Sequence, residues 1–318
     1  MIPKSARVVF MGTPAFAETI LKALLDEKYS LVAVYTQPDK PIGREKKITK
    51  SAVKILAETK GIPVEQPHRF GADAIETFKQ FRADVVIVAA YGKIIPEAML
   101  SLVPLGFVNV HASLLPRLRG ASPIHNCLLS GDTETGSTIM LIDKGMDTGP
   151  ILGYAPLPID PNDTTETLTP KLAEHGAKLL ISILPSWLEG KIHPAPQHHE
   201  QATVCQLIDR EDGKVFWNNP ASVIYNQYRA LTPWPGIFSF WKKNDAFLRV
   251  KLRKVSLLKK NPTTKHALGE VFEIADTIGI QTADGVIILH EVQLEGKTAL
   301  PVEEFVRGYT GFIGSILV

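Results

Sequence analysis

The chain has 318 residues, 45% hydrophobic and 21% charged, with 35 basic against 33 acidic side chains and a formal net charge of +2. That composition excludes a disordered, collagen-like or disulfide-stapled chain. The charge balance excludes a histone-like or acidic-tail protein while leaving room for a local basic surface. The length allows two domains, each able to bury a core. Cys127 and Cys205 follow no metal or redox spacing and fit buried thiols in a reducing compartment. The opening MIPKSARVVFMGTPAF has no signal-peptide hydrophobic region, and no run of about 18 apolar residues occurs, so a cytoplasmic chain without a transmembrane helix is expected.

Residues 8–11 form a short apolar strand that stops at Gly12, and Thr13-Pro14 opens a helix with Phe16, Ile20, Leu21 and Leu24 on one face. A second strand is expected over 31–35 and a second helix over 51–60. Residues 84–90 (DVVIVAA) have the continuous apolar character of a strand buried on both faces. Another strand covers 107–110 and ends at His111. Later strands fall at 137–142 and 151–159, before a long helix over 164–188. Short apolar strands alternating with amphipathic helices predict a doubly wound, mostly parallel α/β sheet, with its ligand beyond the carboxyl ends of the strands. Gly12 stands alone in the first turn after a strand, so no dinucleotide fingerprint is present.

Composition changes at 189–204 (EGKIHPAPQHHEQATV), which is rich in Pro and His and lacks apolar periodicity. This stretch reads as a linker, and its histidines lack zinc-site spacing. Short strands with turn signals follow over 238–241, 247–255, 270–274, 279–282 and 285–292, predicting a small OB-like β-barrel. The expected division is 1–189 for the α/β domain, 190–206 for the linker and 207–318 for the second domain.

The stretch NVHASLLPRLRGASP at 109–123 holds the residues best suited to chemistry. Asn109 and His111 are two apart at a strand end and project on one face, where an amide and an imidazole could stabilise an oxyanion and handle a proton. The alternative is that Asn109 caps a turn and His111 is only a strand-end residue. Downstream, Asp143 and Asp147 lie in a loop with Gly145 and Gly149. Either carboxylate could form an Asx turn or stand near His111 and orient its ring. Spacing leaves both readings open.

Two segments concentrate positive charge. Lys40, Arg44, Lys46, Lys47, Lys50 and Lys54 face a single acid, Glu45, in a Pro- and Gly-containing loop. In the second domain Leu248, Val250 and Leu252 alternate with Arg249, Lys251 and Arg253, which gives a half-buried strand one cationic face. That face suits a phosphate backbone or the protected edge of a sheet.

Asn109, His111, Ser113-Leu114-Leu115-Pro116, Arg119-Gly120 and Pro123, followed by Asp147-Thr148-Gly149, resemble the signature of the formyl-tetrahydrofolate-dependent formyltransferases. Phe10-Met11-Gly12-Thr13-Pro14, Gln37-Pro38-Asp39-Lys40-Pro41 with Gly43-Arg44, Ala90-Tyr91-Gly92 and Pro233-Trp234-Pro235-Gly236 extend the resemblance over essentially the whole chain. They match the branch of that family that formylates methionyl initiator tRNA. The resemblance implies 10-formyltetrahydrofolate as formyl donor, with amino-sugar nucleotides or water as alternative acceptors. It implies Asn109, His111 and Asp147 as the catalytic residues and 113–116 as a folate wall. Together with the basic segments it implies tRNA contacts at Arg44, Lys46, Lys47, Arg249, Lys251 and Arg253. A monomer that needs no metal is expected. Two stretches depart from the family pattern: Thr203-Val204-Cys205-Gln206-Leu207, and Phe216 before Trp217.

Overall fold

The apolar run near the start becomes strand β1 (Arg7–Gly12), with Val8, Val9, Phe10 and Met11 fully buried. The computed structural model describes residues 6–42, 47–259, 263–264 and 266–318. After β1 come α1 (Ala15–Asp26), β2 (Ser30–Tyr35), the antiparallel pair β3 (Lys40–Ile42) and β4 (Lys47–Thr49), and α2 (Ala52–Thr59). Next are β5 (Val64–Glu65), α3 (Ala72–Gln80), β6 (Val85–Ala89), α4 (Glu97–Leu100), β7 (Phe107–His111) and β8 (Arg119–Gly120). Then follow α5 (Pro123–Leu129), β9 (Glu134–Leu141), β10 (Ile151–Pro158), α6 (Thr165–Leu188) and β11 (Val204–Cys205). On α1 the side chains of Phe16, Ile20, Leu21 and Leu24 form the buried stripe read from the sequence. Each contributes roughly 1.5–3 kcal/mol through burial. Among the described residues no helix is long and apolar enough to cross a membrane.

The chain divides into two compact units. The first gathers Met1–Pro123, Thr133–Ile159 and Leu168–Gln206 around a seven-stranded sheet of order β10-β9-β7-β6-β1-β2-β5. Strands β5, β2, β1, β6 and β7 run parallel, and β9 and β10 are antiparallel additions at one edge. From β1 the chain winds outward to β2 and β5, then returns to β6 on the other side. That reversal opens a crevice at the carboxyl ends of β1 and β6, where Gly12 pairs with Ala89. A Cβ on Gly12 would lie 2.6 Å from the Ala17 Cβ and 2.9 Å from the Ala89 carbonyl oxygen. Glycine is what lets α1 and β6 close on the strand end.

Residues 190–206 differ from the linker predicted by composition. β11 pairs in parallel with β8, and Ala195 exchanges backbone hydrogen bonds with Ile151. The segment is held by polar and backbone bonds rather than an apolar stripe, which is why it shows no periodicity.

The second unit gathers Ile124–Asp132, Asp160–Thr167 and Leu207–Val318. Its own elements are α7 (Ala221–Leu231), β12 (Ile237–Lys243), β13 (Ala246–Leu258), β14 (Val271–Ile274), β15 (Thr277–Gln281), β16 (Val286–Leu294), β17 (Ala299–Pro301) and α8 (Val302–Gly308). The sheet is antiparallel, of order β12-β13-β16-β15-β14, with β17 added on β16. It curls. Backbone hydrogen bonds join Val318 to Phe240 on β12, and join Gly314, Ser315 and Leu317 to Val271 and Gly269 beside β14. The short-strand pattern thus becomes a curled antiparallel half-barrel, filled by Trp241, Phe305 and Phe312. Residues 160–167 join this unit because the Arg229 guanidinium donates to the carbonyls of Asp160 and Asp163.

Filling the close approach at Gly12 should cost stability. Gly12→Val is expected to lose about 1–3 kcal/mol, because overpacking against backbone cannot relax by a rotamer change. Urea unfolding should show a lower midpoint at unchanged slope. A wild-type midpoint would mean that β1, α1 and β6 separate freely.

Candidate active site

The pleat of β7 puts Asn109 and His111 on the same face at the strand end. His111 is only 6% exposed. Its Nε2 lies 3.0 Å from the Leu118 carbonyl oxygen. A carbonyl only accepts, so Nε2 carries a hydrogen, and in the neutral ring the lone pair belongs to Nδ1. Nδ1 stands 3.6 Å from Asp147 Oδ2. That oxygen also accepts a hydrogen bond from the Gly120 backbone N–H at 2.8 Å. The pair can therefore accept one proton and share it. Asn109 is half-buried, and its amide makes no hydrogen bond among the described residues. It is free to donate to an incoming oxygen.

Both groups that face the imidazole come from strained backbone. Leu118 has φ +59 and Asp147 φ +52, a region that side chains with a Cβ seldom occupy. Behind Asp147, Gly149 closes the loop on β9, since a Cβ there would meet the Leu141 carbonyl oxygen at 1.9 Å. The structure thus sets His111 beside Asp147, with Asn109 on the same face of β7, and engages Asp143 within its own loop. Asp143 makes an Asx turn, accepting from the Gly145 N–H and the Thr148 hydroxyl.

The turn at 113–116 is fixed from within. The Ser113 hydroxyl donates to the Arg117 carbonyl at 2.7 Å, and the buried Thr138 hydroxyl donates to the Ser113 carbonyl while accepting from the Leu115 N–H. Ser113 and Leu115 are buried, so Leu114 and Pro116 are the half-exposed members of the expected wall. Sequence reasoning missed Thr138, Gln197 and Thr203, all of which bond to this region. Only their distant positions in the chain hid them.

The basic segments differ in how far their neighbours engage them. Lys54 binds Asp39 at 2.7 Å and Gln66 at 2.6 Å, Lys50 binds Glu58, and Lys40 binds Gln37. Arg44, Lys46 and the side chain of Lys47 lie outside the described residues. On β13 the expected alternation holds as far as Leu252, with Val250 and Leu252 buried and Arg249 and Lys251 turned outward, and Arg253 follows at a bulge. Arg249 is already engaged, stacked 4.0 Å from the Phe238 ring centroid and 3.5 Å from Glu211. Lys251 and Arg253 make no ion pair among the described residues.

Two family profiles match in sequence: one described as formyl transferase over residues 6–184, and one as the formyl transferase C-terminal domain over 207–310. The chain is 40% identical over 315 residues to a methionyl-tRNA formyltransferase of Desulforamulus reducens, covering 98% of this chain and 97% of that one. It is 41% identical over 315 residues to the protein of the same name from Pelobacter propionicus, covering 98% and 96%. Among solved structures, an N-formyltransferase from Helicobacter canadensis with folinic acid and dTDP-3-aminofucose aligns with a TM-score of 0.65 at 20% identity, covering 89% of this chain and 98% of that one. HypX from Aquifex aeolicus in complex with tetrahydrofolic acid aligns at 0.64 and 15%, covering 96% and 48%.

The ion pair at the root of the basic loop should be legible in acid. Hydrogen bonds from Lys54 and then Gln66 hold the Asp39 carboxyl below its usual range. A depressed carboxyl stabilises the fold above its unfolded value near about pH 4, and that contribution fades as pH falls through the lower folded value. Asp39→Asn should therefore be less stable than wild type at pH 7, with the gap closing below about pH 4. Urea midpoints measured from pH 7 to pH 3 test this, and a gap constant across that range would sink it.

Proposed function

This chain belongs to the formyl transferase family, and we propose that it moves the formyl group of 10-formyltetrahydrofolate to the α-amino group of methionyl initiator tRNA. The observation that carries the chemistry is the His111–Asp147 pair, with Nδ1 3.6 Å from Oδ2, beside an unengaged Asn109 amide. The relatives at about 40% identity over nearly the whole chain support the choice of acceptor.

In the proposed sequence the amine lone pair attacks the formyl carbon, and the carbonyl electrons move to oxygen. Asn109 donates to that oxyanion. Such a donor is worth about 2.7–4 kcal/mol in the barrier. The amine proton passes to the His111–Asp147 pair. Oδ2 of Asp147 is spent on Gly120 and faces the ring, while Oδ1 makes no hydrogen bond among the described residues and is the oxygen open to the amine. Collapse re-forms the carbonyl and breaks the bond to the folate nitrogen, which takes the bond electrons and the stored proton. The half-exposed Leu114 and Pro116 supply apolar wall for the folate, and Ser113 shapes their turn. Arg44, Lys46, Lys47, Lys251 and Arg253 are the proposed contacts with tRNA phosphates, with Arg249 contributing less because Phe238 and Glu211 hold it.

Incubation with 10-formyltetrahydrofolate and, separately, methionyl initiator tRNA, glycinamide ribonucleotide, an amino-sugar nucleotide or water tests the assignment. Formylation of the tRNA substrate alone is expected, and efficient use of another acceptor would replace the reading. Asn109→Ala should lower kcat by about 100- to 1,000-fold. His111→Ala and Asp147→Asn should lower kcat at nearly unchanged KM, with combined losses far below additive. A loss confined to KM would make them binding groups. For tRNA, replacing Lys251 and Arg253 with Gln should raise KM and flatten the logarithmic salt dependence by up to about 1.8, at about 0.9 per phosphate contact. An unchanged slope would leave them as solubilising edge charges.

A further inference from the structure

The segment at 197–205 touches both strained residues that present His111 its partners. The Gln197 side-chain N–H2 donates to the Asp147 carbonyl at 2.9 Å and to the Gly149 carbonyl at 2.7 Å, tying down the backbone that leaves the left-handed residue. Its Oε1 accepts from Arg119 Nε at 3.1 Å and Nη2 at 2.6 Å. Arg119 is 6% exposed, Gln197 is 6% exposed, and Arg119 Nη2 also reaches His199 Nδ1 at 3.1 Å. On the other side of the imidazole, the Thr203 hydroxyl accepts from the Leu118 N–H at 2.9 Å, and the Thr203 carbonyl accepts from the Arg119 N–H at 2.9 Å. The same five-atom stretch of backbone that offers the Leu118 carbonyl to Nε2 is thus pinned by Thr203.

Resting on the function proposed above, we infer that Gln197 and Thr203 are positioning residues of the reaction. They hold Asp147 and Leu118 in left-handed conformations, so that Nε2 keeps the Leu118 carbonyl as acceptor and Nδ1 keeps facing Asp147 Oδ2. Neither touches substrate. A left-handed residue with a Cβ costs of order 1–3 kcal/mol and persists only where its surroundings hold it. Without Gln197, the Asp147 and Gly149 carbonyls lose their donors and the loop is free to relax. A shift near 1 Å in a catalytic group can cost about 100-fold in rate. An amide is the side chain that fits: it gives two hydrogens to carbonyls and an oxygen to a guanidinium, and adds no charge beside Asp147.

The test uses the full chain, with kcat and KM for both substrates and the imidazole 15N signals of His111 recorded for each variant. Gln197→Leu and Thr203→Val should each lower kcat by about 10- to 100-fold at unchanged KM, while Thr203→Ser, which keeps the hydroxyl, stays near wild type. In an Asp147→Asn background Gln197→Leu should cost almost nothing more, because its effect travels through Asp147. The His111 spectrum should show a single Nε2–H tautomer in wild type and a mixture in Gln197→Leu and Thr203→Val. Wild-type kcat in both variants, full additivity with Asp147→Asn, or an unaltered His111 spectrum would each overturn the inference. Should Gln197→Leu not fold, the Thr203→Val and Thr203→Ser pair decides alone. Failure of wild type to formylate any acceptor would instead overturn the functional reading, and the spectrum would still report on the clamp.

Discussion

The hydrogen bond from His111 Nε2 to the Leu118 carbonyl, 3.0 Å long and buried, is the constraint on which the rest of the site depends. By fixing the hydrogen on Nε2 it turns Nδ1 toward Asp147. It also has structural costs. Leu118 must adopt φ +59 to aim its carbonyl at the ring, and Asp147 must adopt φ +52 to bring its carboxylate to the other side. Neither geometry is one that the local sequence would choose. Both are held by groups from far along the chain, so the site is assembled late in the sequence although its named residues lie early.

The carboxyl ends of β1, β2 and β6 follow the same principle of full engagement. Gln37 spends every polar group it has: its N–H on the Thr13 hydroxyl, its side-chain nitrogen on the Tyr91 and Gly92 carbonyls, its side-chain oxygen on Lys40 and its carbonyl on Gln66. Such a residue has nothing left to offer a ligand. Its role is to tie the strand ends of β1, β2 and β6 together where the chain reverses direction. A reaction that needs an oxyanion donor and a proton acceptor within about 3 Å of one carbon gains from walls that cannot drift.

What the sequence made legible was whatever repeats locally. Residues 84–90 announce a fully buried parallel strand, the stripe from Phe16 to Leu24 announces α1, and Asn109 and His111 announce one face of a strand end. Spacing alone leaves Asp143 and Asp147 equally eligible, and only the family resemblance points to Asp147; the structure separates them by giving Asp143 an Asx turn. Residues 190–206 stayed illegible for a physical reason. Their contacts run through Gln197, Thr203 and backbone groups to partners about 50 to 85 positions away, and polar long-range bonding leaves no periodic trace. The membership of 160–167 in the second unit was hidden in the same way, behind the bonds of Arg229 to backbone carbonyls.

The cationic strand β13 shows how far alternation alone can be trusted. Period two places Arg249, Lys251 and Arg253 on one face, and the structure agrees about the face. It does not make the three equivalent. Phe238 sits on that outward face, in register with Lys251, yet is only 3% exposed, and the Arg249 guanidinium lies 4.0 Å above it. Arg249 acts there as a lid on an aromatic ring as much as a free charge. A bulge between Leu252 and Val255 then breaks the alternation, leaving Arg253 and Lys254 both exposed before Val255 turns back to the core. The strand thus regains at Lys254 the outward charge that Arg249 commits to packing. The cations that this strand turns outward are accordingly Lys251, Arg253 and Lys254, the last two adjacent because of the bulge.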